Sequence, residues 1–281
     1  MLQAINTWSD YREKVREFDA VLEHGKAVAA ALAGLPASSM RESYGQQIFI
    51  KLLSHCVALR SLAADPTRRE EAELWDVPSM CAVARCAAEA HDAFEYIAGH
   101  EVTDAERVFR TQLWELHDTM RRLKMFQDIG STDPRITVIR GDAQRLQADL
   151  EGHAFLASLP ADLQAVLRQR LAKGDPPAFH LNQRQRCALS GVNLEWHSTV
   201  TMQLSQYAHT LPSSMQQLLR FPPGSPEALR LMALPLVFAL PFLVRVTQAV
   251  ALLMQHRAPE PPSRTARTMA VWRTLAEQGL A

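Results

Sequence analysis

The longest apolar run in the chain, from Leu231 to Val244, has 14 residues without a polar side chain. A helix that spans a bilayer needs about 20 apolar residues, and shorter runs are more often buried helices of a protein core. Two prolines interrupt the run and Arg245 follows it directly. If a span continued to Met254, Arg245 would lie in hydrocarbon, which is costly. We therefore predict a buried core helix, and membrane association through 231–254 stays open as an alternative.

The rest of the chain also carries helical signals. Apolar residues recur three and four positions apart, and Thr103 with Glu106 forms the pattern of an N-terminal capping box. Glycine is scarce, at 11 of 281 residues, and no Asn-Gly or Asp-Gly pair marks a β-hairpin. We predict an all-α multi-helix bundle of about eight to ten helices. One helical domain is expected over 1–256, with 134–190 as a candidate helical insertion, followed by a linker and C-terminal helix over 257–281.

Charge and motifs disfavour several common classes of function. Lys plus Arg equals Asp plus Glu, at 30 each, so no global field favours nucleic acid or acidic lipid. The four cysteines form neither a CxxC pair nor a zinc spacing, and the N-terminus is unlike a targeting peptide. The P-loop, GxGxxG, HExxH, GxSxG and EF-hand patterns are absent from the sequence. We expect a cytoplasmic protein with no cofactor and no bound metal.

A predicted helix from Asp76 to about Ala98 places Arg85, Glu89 and Asp92 on one face, at positions i, i+4 and i+7. In a binding site, Arg85 would hold an anion, and Glu89 would orient the arginine or act as a base. The alternative is an intrahelical ion pair on a solvated face, which contributes a few tenths of a kcal/mol.

The next predicted helix carries a stripe of cations interleaved with aromatic rings at helical spacing. Such a face suits phosphate neutralisation and base stacking. The alternative is a solvated basic edge, because acidic residues flank the stripe and weaken its field. The candidate nucleic-acid-binding residues are Arg107, Arg110, Trp114, His117, Arg121 and Lys124.

A predicted helix over 193–210 has a polar line of residues four positions apart, namely His197, Thr201, Ser205 and His209. We predict that this helix packs beside the 76–98 helix, because each has an apolar face next to a polar one. The predicted catalytic site at their contact consists of Arg85, Glu89, Ser205, Tyr207 and His209. A closed and fully paired cluster would instead indicate a structural role.

Three short motifs follow one another in the chain: Arg-x-x-x-Glu with a following aromatic, Arg-x-x-x-Trp, and Leu-Ser-x-Tyr-x-His. Their residues are Arg85, Glu89 and Tyr96, then Arg110 and Trp114, then Leu204, Ser205, Tyr207 and His209. In this order they resemble an uncharacterised family of bacterial all-helical proteins. That resemblance implies an all-α fold and brings no established activity with it.

Arg85 and His91 are separated by five residues, and Arg110 and His117 by six. These spacings resemble the Arg-x(4–6)-His motif of HEPN-type helical bundles, many of which are RNA-cutting toxins or defence proteins. Where such bundles often carry Arg-Asn-x-x-x-His, this chain has Ser205 to His209, without the arginine.

The wider resemblance implies engagement of RNA or a nucleotide in stress or phage defence. If the protein is an enzyme, metal-independent RNA cleavage fits the residue types: His209 would act as acid or base, and Arg85 would stabilise charge on the phosphate. The alternative is a non-catalytic module that binds a protein partner, or a second copy of the chain, through its apolar helices.

Overall fold

The computed structural model describes residues 4–63, 76–209, 211–222, 224–254 and 258–279. Within these ranges every regular element is a helix, which confirms the predicted all-α multi-helix fold. A π-helical turn, Glu95–Gly99, follows the third helix directly. The α-helices are α1 Trp8–Leu32, α2 Met40–Leu62, α3 Val77–Phe94, α4 Asp104–Asp128, α5 Arg135–Glu151, α6 Ala154–Ser158, α7 Ala161–Ala172, α8 Gln183–Ser190, α9 Leu194–Ala208, α10 Pro212–Arg220, α11 Pro226–Leu253 and α12 Ser263–Gln278.

Side-chain caps set the beginnings of several helices. The Thr103 hydroxyl accepts a hydrogen bond from the Glu106 amide, and the Ser225 hydroxyl accepts one from the Ala228 amide, both at 3.2 Å. Each cap satisfies an amide that has no partner inside its own helix. Thr7 caps α1 in the same way, because its hydroxyl accepts a hydrogen bond from the Asp10 amide at 3.3 Å.

The chain forms two compact units. The first contains residues 1–99 and 186–281, and the second contains 100–185. Residues 134–185 of the predicted insertion lie in the second unit, together with α4, which packs against α5 and α6. The core of that unit is a cluster of leucine side chains around Phe109.

In the first unit, α11 packs against α1, α2, α3 and α12. It contains the apolar run, and most of that run is buried, as predicted. Among the described helices, α11 alone is long and apolar enough to cross a membrane, and 67% of its most apolar window lies inside the protein. Membrane association and cytoplasmic localisation both stay predictions.

Replacing Phe242 tests whether α11 is a core helix. This side chain is fully buried, and its ring centroid lies 4.9 Å from that of His91 and 5.2 Å from that of Trp196. We expect Phe242→Ala to lower the free energy of unfolding by about 3–5 kcal/mol, because the change leaves a cavity. Leu252 on the same helix is 77% exposed, and Leu252→Ala should change the free energy of unfolding by less than about 0.5 kcal/mol. Urea denaturation followed by circular dichroism measures both, and equal small changes would contradict a buried α11.

Candidate functional site

The helices α3 and α9 pack side by side, as the sequence predicts. Arg85 in the middle of α3 contacts Ser205 near the end of α9, whereas Asp92 near the end of α3 contacts His197 near the start of α9. The two helices are therefore antiparallel, and their polar lines face each other. We call this contact the α3/α9 seam.

Arg85 lies at the outer end of the seam. Its Nη1 atom is 3.1 Å from Glu89 Oε1, and its Nε atom donates to Ser205 Oγ at 3.3 Å. The side chains of Arg85 and Glu89 are 29% and 64% exposed, so the pair meets solvent. The seam brings together three of the five predicted catalytic residues.

The other two predicted residues, Tyr207 and His209, do not join that group. The Tyr207 hydroxyl donates to Gln217 Oε1 of α10, and burial raises the pKa of the phenol above its usual range. His209 follows the last residue of α9 and is exposed; among the described residues, no hydrogen bond or ion pair joins it to Arg85 or Glu89. Residues two positions apart on a helix point in different directions, so Tyr207 faces away from Ser205. The predicted five-residue site is therefore reduced to the contact among Arg85, Glu89 and Ser205, and a catalytic role for these residues stays a prediction.

The inner end of the seam holds a cluster that the sequence did not predict. The Asp92 carboxylate lies 2.9 Å from His197 Nε2 and 3.2 Å from His91 Nδ1, and both contacts use the same oxygen, Oδ1. Its other oxygen, Oδ2, lies 3.6 Å from the guanidinium of Arg186 in α8. Both histidines are almost fully buried, whereas Asp92 and Arg186 retain a small solvent-exposed fraction.

The electrostatics of Asp92 follow from these contacts. Burial alone would raise its pKa, but the hydrogen bonds and the charge interactions with His197 and His91 together outweigh burial and lower it. The pKa of Asp92 is therefore held well below its usual range. The group is a carboxylate throughout the physiological pH range, and each histidine directs one ring nitrogen at it.

Polar contacts continue from His91 along the π-helical turn. Its Nε2 atom lies 3.6 Å from Glu95 Oε1, and the same oxygen lies 3.8 Å from Arg245 Nη2 of α11. Arg245 also donates to the Ser190 carbonyl and pairs with Glu277 of α12 at 3.3 Å. Five elements of the first unit thus meet at this buried network.

A sequence signal for the inner cluster exists. Arg85 and Asp92 are seven residues apart on α3, and His197 and Ser205 are eight apart on α9. Each spacing is close to two helical turns. In an antiparallel pair, contact between Arg85 and Ser205 therefore also brings Asp92 opposite His197.

In the second unit, most residues of the predicted nucleic-acid stripe have protein partners. Arg107 donates to the His100 carbonyl at 3.0 Å, and His117 Nδ1 lies 2.8 Å from the Pro176 carbonyl oxygen. Lys124 pairs with Asp128 at 3.1 Å. Trp114 is half-buried, whereas Arg121 is exposed.

Arg110 departs most from that prediction, because it is fully buried. Its Nε atom donates to Glu106 at 2.9 Å, and its Nη1 atom lies 2.9 Å from His100 Nδ1. Burial, together with the nearby charge of Arg110, lowers the pKa of His180 to about 4. Because Arg110 pairs with Glu106, four positions earlier on α4, its guanidinium lies inside the protein. It is therefore not exposed to bind a phosphate group of a nucleic acid.

A second group of accessible cations lies in a groove between α1 and α12. It has a volume of about 480 Å³ and is lined by three exposed arginines, Arg16, Arg264 and Arg267. The guanidinium groups of these three arginines make no hydrogen bond or ion pair with another described residue. The lining residue Glu17, in contrast, accepts from Trp272 Nε1 at 3.0 Å and pairs with Lys14 at 2.7 Å. We call this the arginine groove.

No family model, curated protein or solved structure matches this chain. The two resemblances drawn from the sequence motifs therefore stay predictions.

The depressed pKa of Asp92 predicts a pH-dependent contribution to stability. A carboxylate with a lowered folded-state pKa stabilises the fold above its unfolded-state pKa, which is about 4, and loses that contribution as the pH falls below it. The difference in unfolding free energy between the wild type and Asp92→Asn should therefore shrink from about pH 5 downward, by up to about 1.4 kcal/mol per pH unit. Urea titrations at several pH values measure it. Leu252→Ala, at an exposed position without a titratable group, should give a flat difference, and a flat curve for Asp92→Asn would refute the assignment.

The burial of Arg110 predicts a structural role for this residue. Arg110→Ala should lower the stability of the second unit by about 3 kcal/mol, because it leaves a largely buried carboxylate at Glu106 without its cation. Arg121→Ala, at an exposed position of the same helix, should cost less than about 0.5 kcal/mol. Thermal and urea unfolding of both variants test this, and an unchanged Arg110→Ala protein would place Arg110 outside the core.

Proposed function

We propose that the protein binds the phosphate groups of RNA or of a nucleotide in the arginine groove between α1 and α12. The supporting observation is that Arg16, Arg264 and Arg267 line one groove without an ionic partner among the described residues. A guanidinium group presents a planar set of donors that matches two phosphate oxygens at once. An anion in the groove would accept hydrogen bonds from these guanidinium groups, which otherwise face solvent.

Charge supports the same site. The chain is neutral overall, so any affinity for phosphate must come from a local concentration of cations. The groove lining contains three arginines and two glutamates. One of those carboxylates, Glu17, is already paired with Lys14, which leaves Glu13 as the acidic group that offsets the three cations. The α4 stripe is weaker, because its central arginine is buried and its lysine is paired.

The proposal is for binding, and whether the protein also cleaves RNA is to be measured separately. Arg85 and Ser205 meet at a solvent-exposed edge, which supports an anion contact there. The imidazole predicted to act with them, His209, lies outside that contact. A role in stress or phage defence rests on the HEPN resemblance and stays a proposal, as does the alternative of a non-catalytic interaction module.

The test compares binding of a short single-stranded RNA and of a nucleoside triphosphate across a range of salt concentrations. Each phosphate contact on a single strand contributes about 0.7 to the slope of log affinity against log salt. The wild type should therefore show a slope of about −2 for three contacts. Arg16→Ala, Arg264→Ala and Arg267→Ala should each weaken RNA binding and reduce the slope by about 0.7.

Arg140→Ala is the matched control, because Arg140 is an exposed arginine on α5, away from the groove lining. Binding of the triphosphate without RNA would identify a small-molecule site, whereas no binding of either at low salt would refute the proposal. Adding EDTA and analysing labelled RNA for fragments tests metal-independent cleavage, which Arg85→Ala should abolish if the seam is catalytic.

A further inference from the structure

We propose that His91, Asp92 and His197 form a binding site for a divalent transition-metal ion, with zinc as the best match. This site is separate from the arginine groove and does not depend on the proposed phosphate binding. Two imidazole nitrogens and one carboxylate oxygen are a ligand set that catalytic zinc sites use, leaving a fourth position for water or a substrate.

The distances between the donor atoms fit one ion. The three donors lie within 4.8 Å of one another. Zinc bonds of 2.0–2.2 Å in a tetrahedral arrangement place neighbouring ligand atoms about 3.4 Å apart. The measured separations from Asp92 Oδ1 are 2.9 Å to His197 Nε2 and 3.2 Å to His91 Nδ1. Both separations are therefore about 0.2–0.5 Å shorter than a tetrahedral zinc site needs, and the donor atoms of the two imidazoles lie within 4.8 Å of each other.

The other ring nitrogen of His91 also favours a bound metal ion. If a neutral His91 donates its Nδ1 proton to Asp92, its Nε2 atom carries a lone pair that faces Glu95 Oε1, an acceptor, at 3.6 Å. This buried Nε2 atom has no hydrogen-bond partner among the described residues. A buried nitrogen that faces a carboxylate without a proton between them is unfavourable.

A metal ion on Nδ1 removes this mismatch. The proton of the neutral ring then lies on Nε2, where it can be donated to Glu95. A ligating histidine typically gives its second ring proton to a carboxylate in this way, which fixes the orientation of the ring. Arg245 lies 3.8 Å from Glu95 Oε1 and would hold that carboxylate in place. Glu95 is therefore a positioning residue for the ligand His91.

The remaining contacts leave a route to the site. Arg186 lies against Asp92 Oδ2, so Oδ1 is the oxygen directed at both imidazoles. The side chains of Asp92 and Arg186 are 17% and 18% exposed, and an ion can enter past them. Phe242 packs against both histidine rings from α11, which limits their rotation and favours one arrangement of the ligands.

Zinc titration of the full chain tests the proposal. The protein, without a histidine tag and after treatment with a chelator, is titrated with zinc chloride by isothermal calorimetry. We expect one ion per chain, and cobalt should give the visible absorption of a tetrahedral site. His91→Gln and His197→Gln should abolish the stoichiometric binding. Glu95→Gln should weaken binding by about 10–100-fold while the ligands remain in place.

The control is His24→Gln, which replaces a buried histidine on α1 outside the cluster and should bind zinc like the wild type. Circular dichroism of each metal-free variant checks folding. If the two ligand variants do not fold, the wild type and Glu95→Gln are compared instead. Zinc should then raise the melting temperature of the wild type more than that of Glu95→Gln. The absence of saturable zinc binding by the folded wild type, or equal affinity in Glu95→Gln and wild type, would overturn the proposal.

Discussion

Burial of α11 is the constraint on which the first unit depends. A helix that is apolar on nearly every side must be surrounded, because each exposed apolar side chain costs on the order of 25 cal/mol for every Å² left in water. The helices α1, α2, α3 and α12 supply that cover. Their positions are therefore set by the need to enclose the run from Leu231 to Val244, and the polar contacts among them arise as a consequence.

The inner cluster of the α3/α9 seam is one such consequence. α3 packs its apolar face against α11, so the residues at the edge of that face are buried with it. His91 is one of them and lies against Phe242. A buried polar side chain destabilises the fold unless it has a partner. Asp92 supplies one on Nδ1. The other ring nitrogen, Nε2, faces Glu95 without a hydrogen bond, and the proposed metal ion on Nδ1 would leave Nε2 with the proton that this contact needs.

Much of the fold could be predicted from local signals, because helix periodicity and caps are encoded within a few residues. The α4 boundary at Thr103 and the α11 boundary at Ser225 are examples. The packing of α3 beside α9 also followed from their polar lines. The short helix α8 could not be predicted in this way, because its eight residues hold a single apolar run, Cys187 to Leu189, and no repeat.

The candidate sites were harder to predict, because side-chain direction depends on tertiary contacts. Tyr207 and Ser205 are close in sequence but face different helices, and the position of α10 decides the partner of Tyr207. Arg110 resembles a surface cation until Glu106 and His100 are seen to enclose it. The arginine groove joins residues about 250 positions apart in the sequence, from Arg16 to Arg267, which no local pattern connects.

The helix α12 contributes directly to the arginine groove and is linked to the proposed zinc site only through Arg245. Arg264 and Arg267 near its start line the groove, and Glu277 near its end pairs with Arg245, which in turn lies against Glu95. Ten residues separate Arg267 from Glu277, a distance of about 15 Å along a helix. Because no residue is common to the groove lining and the histidine cluster, a variant that weakens phosphate binding leaves every proposed zinc ligand intact. A loss at both sites would instead point to displacement of α12 itself.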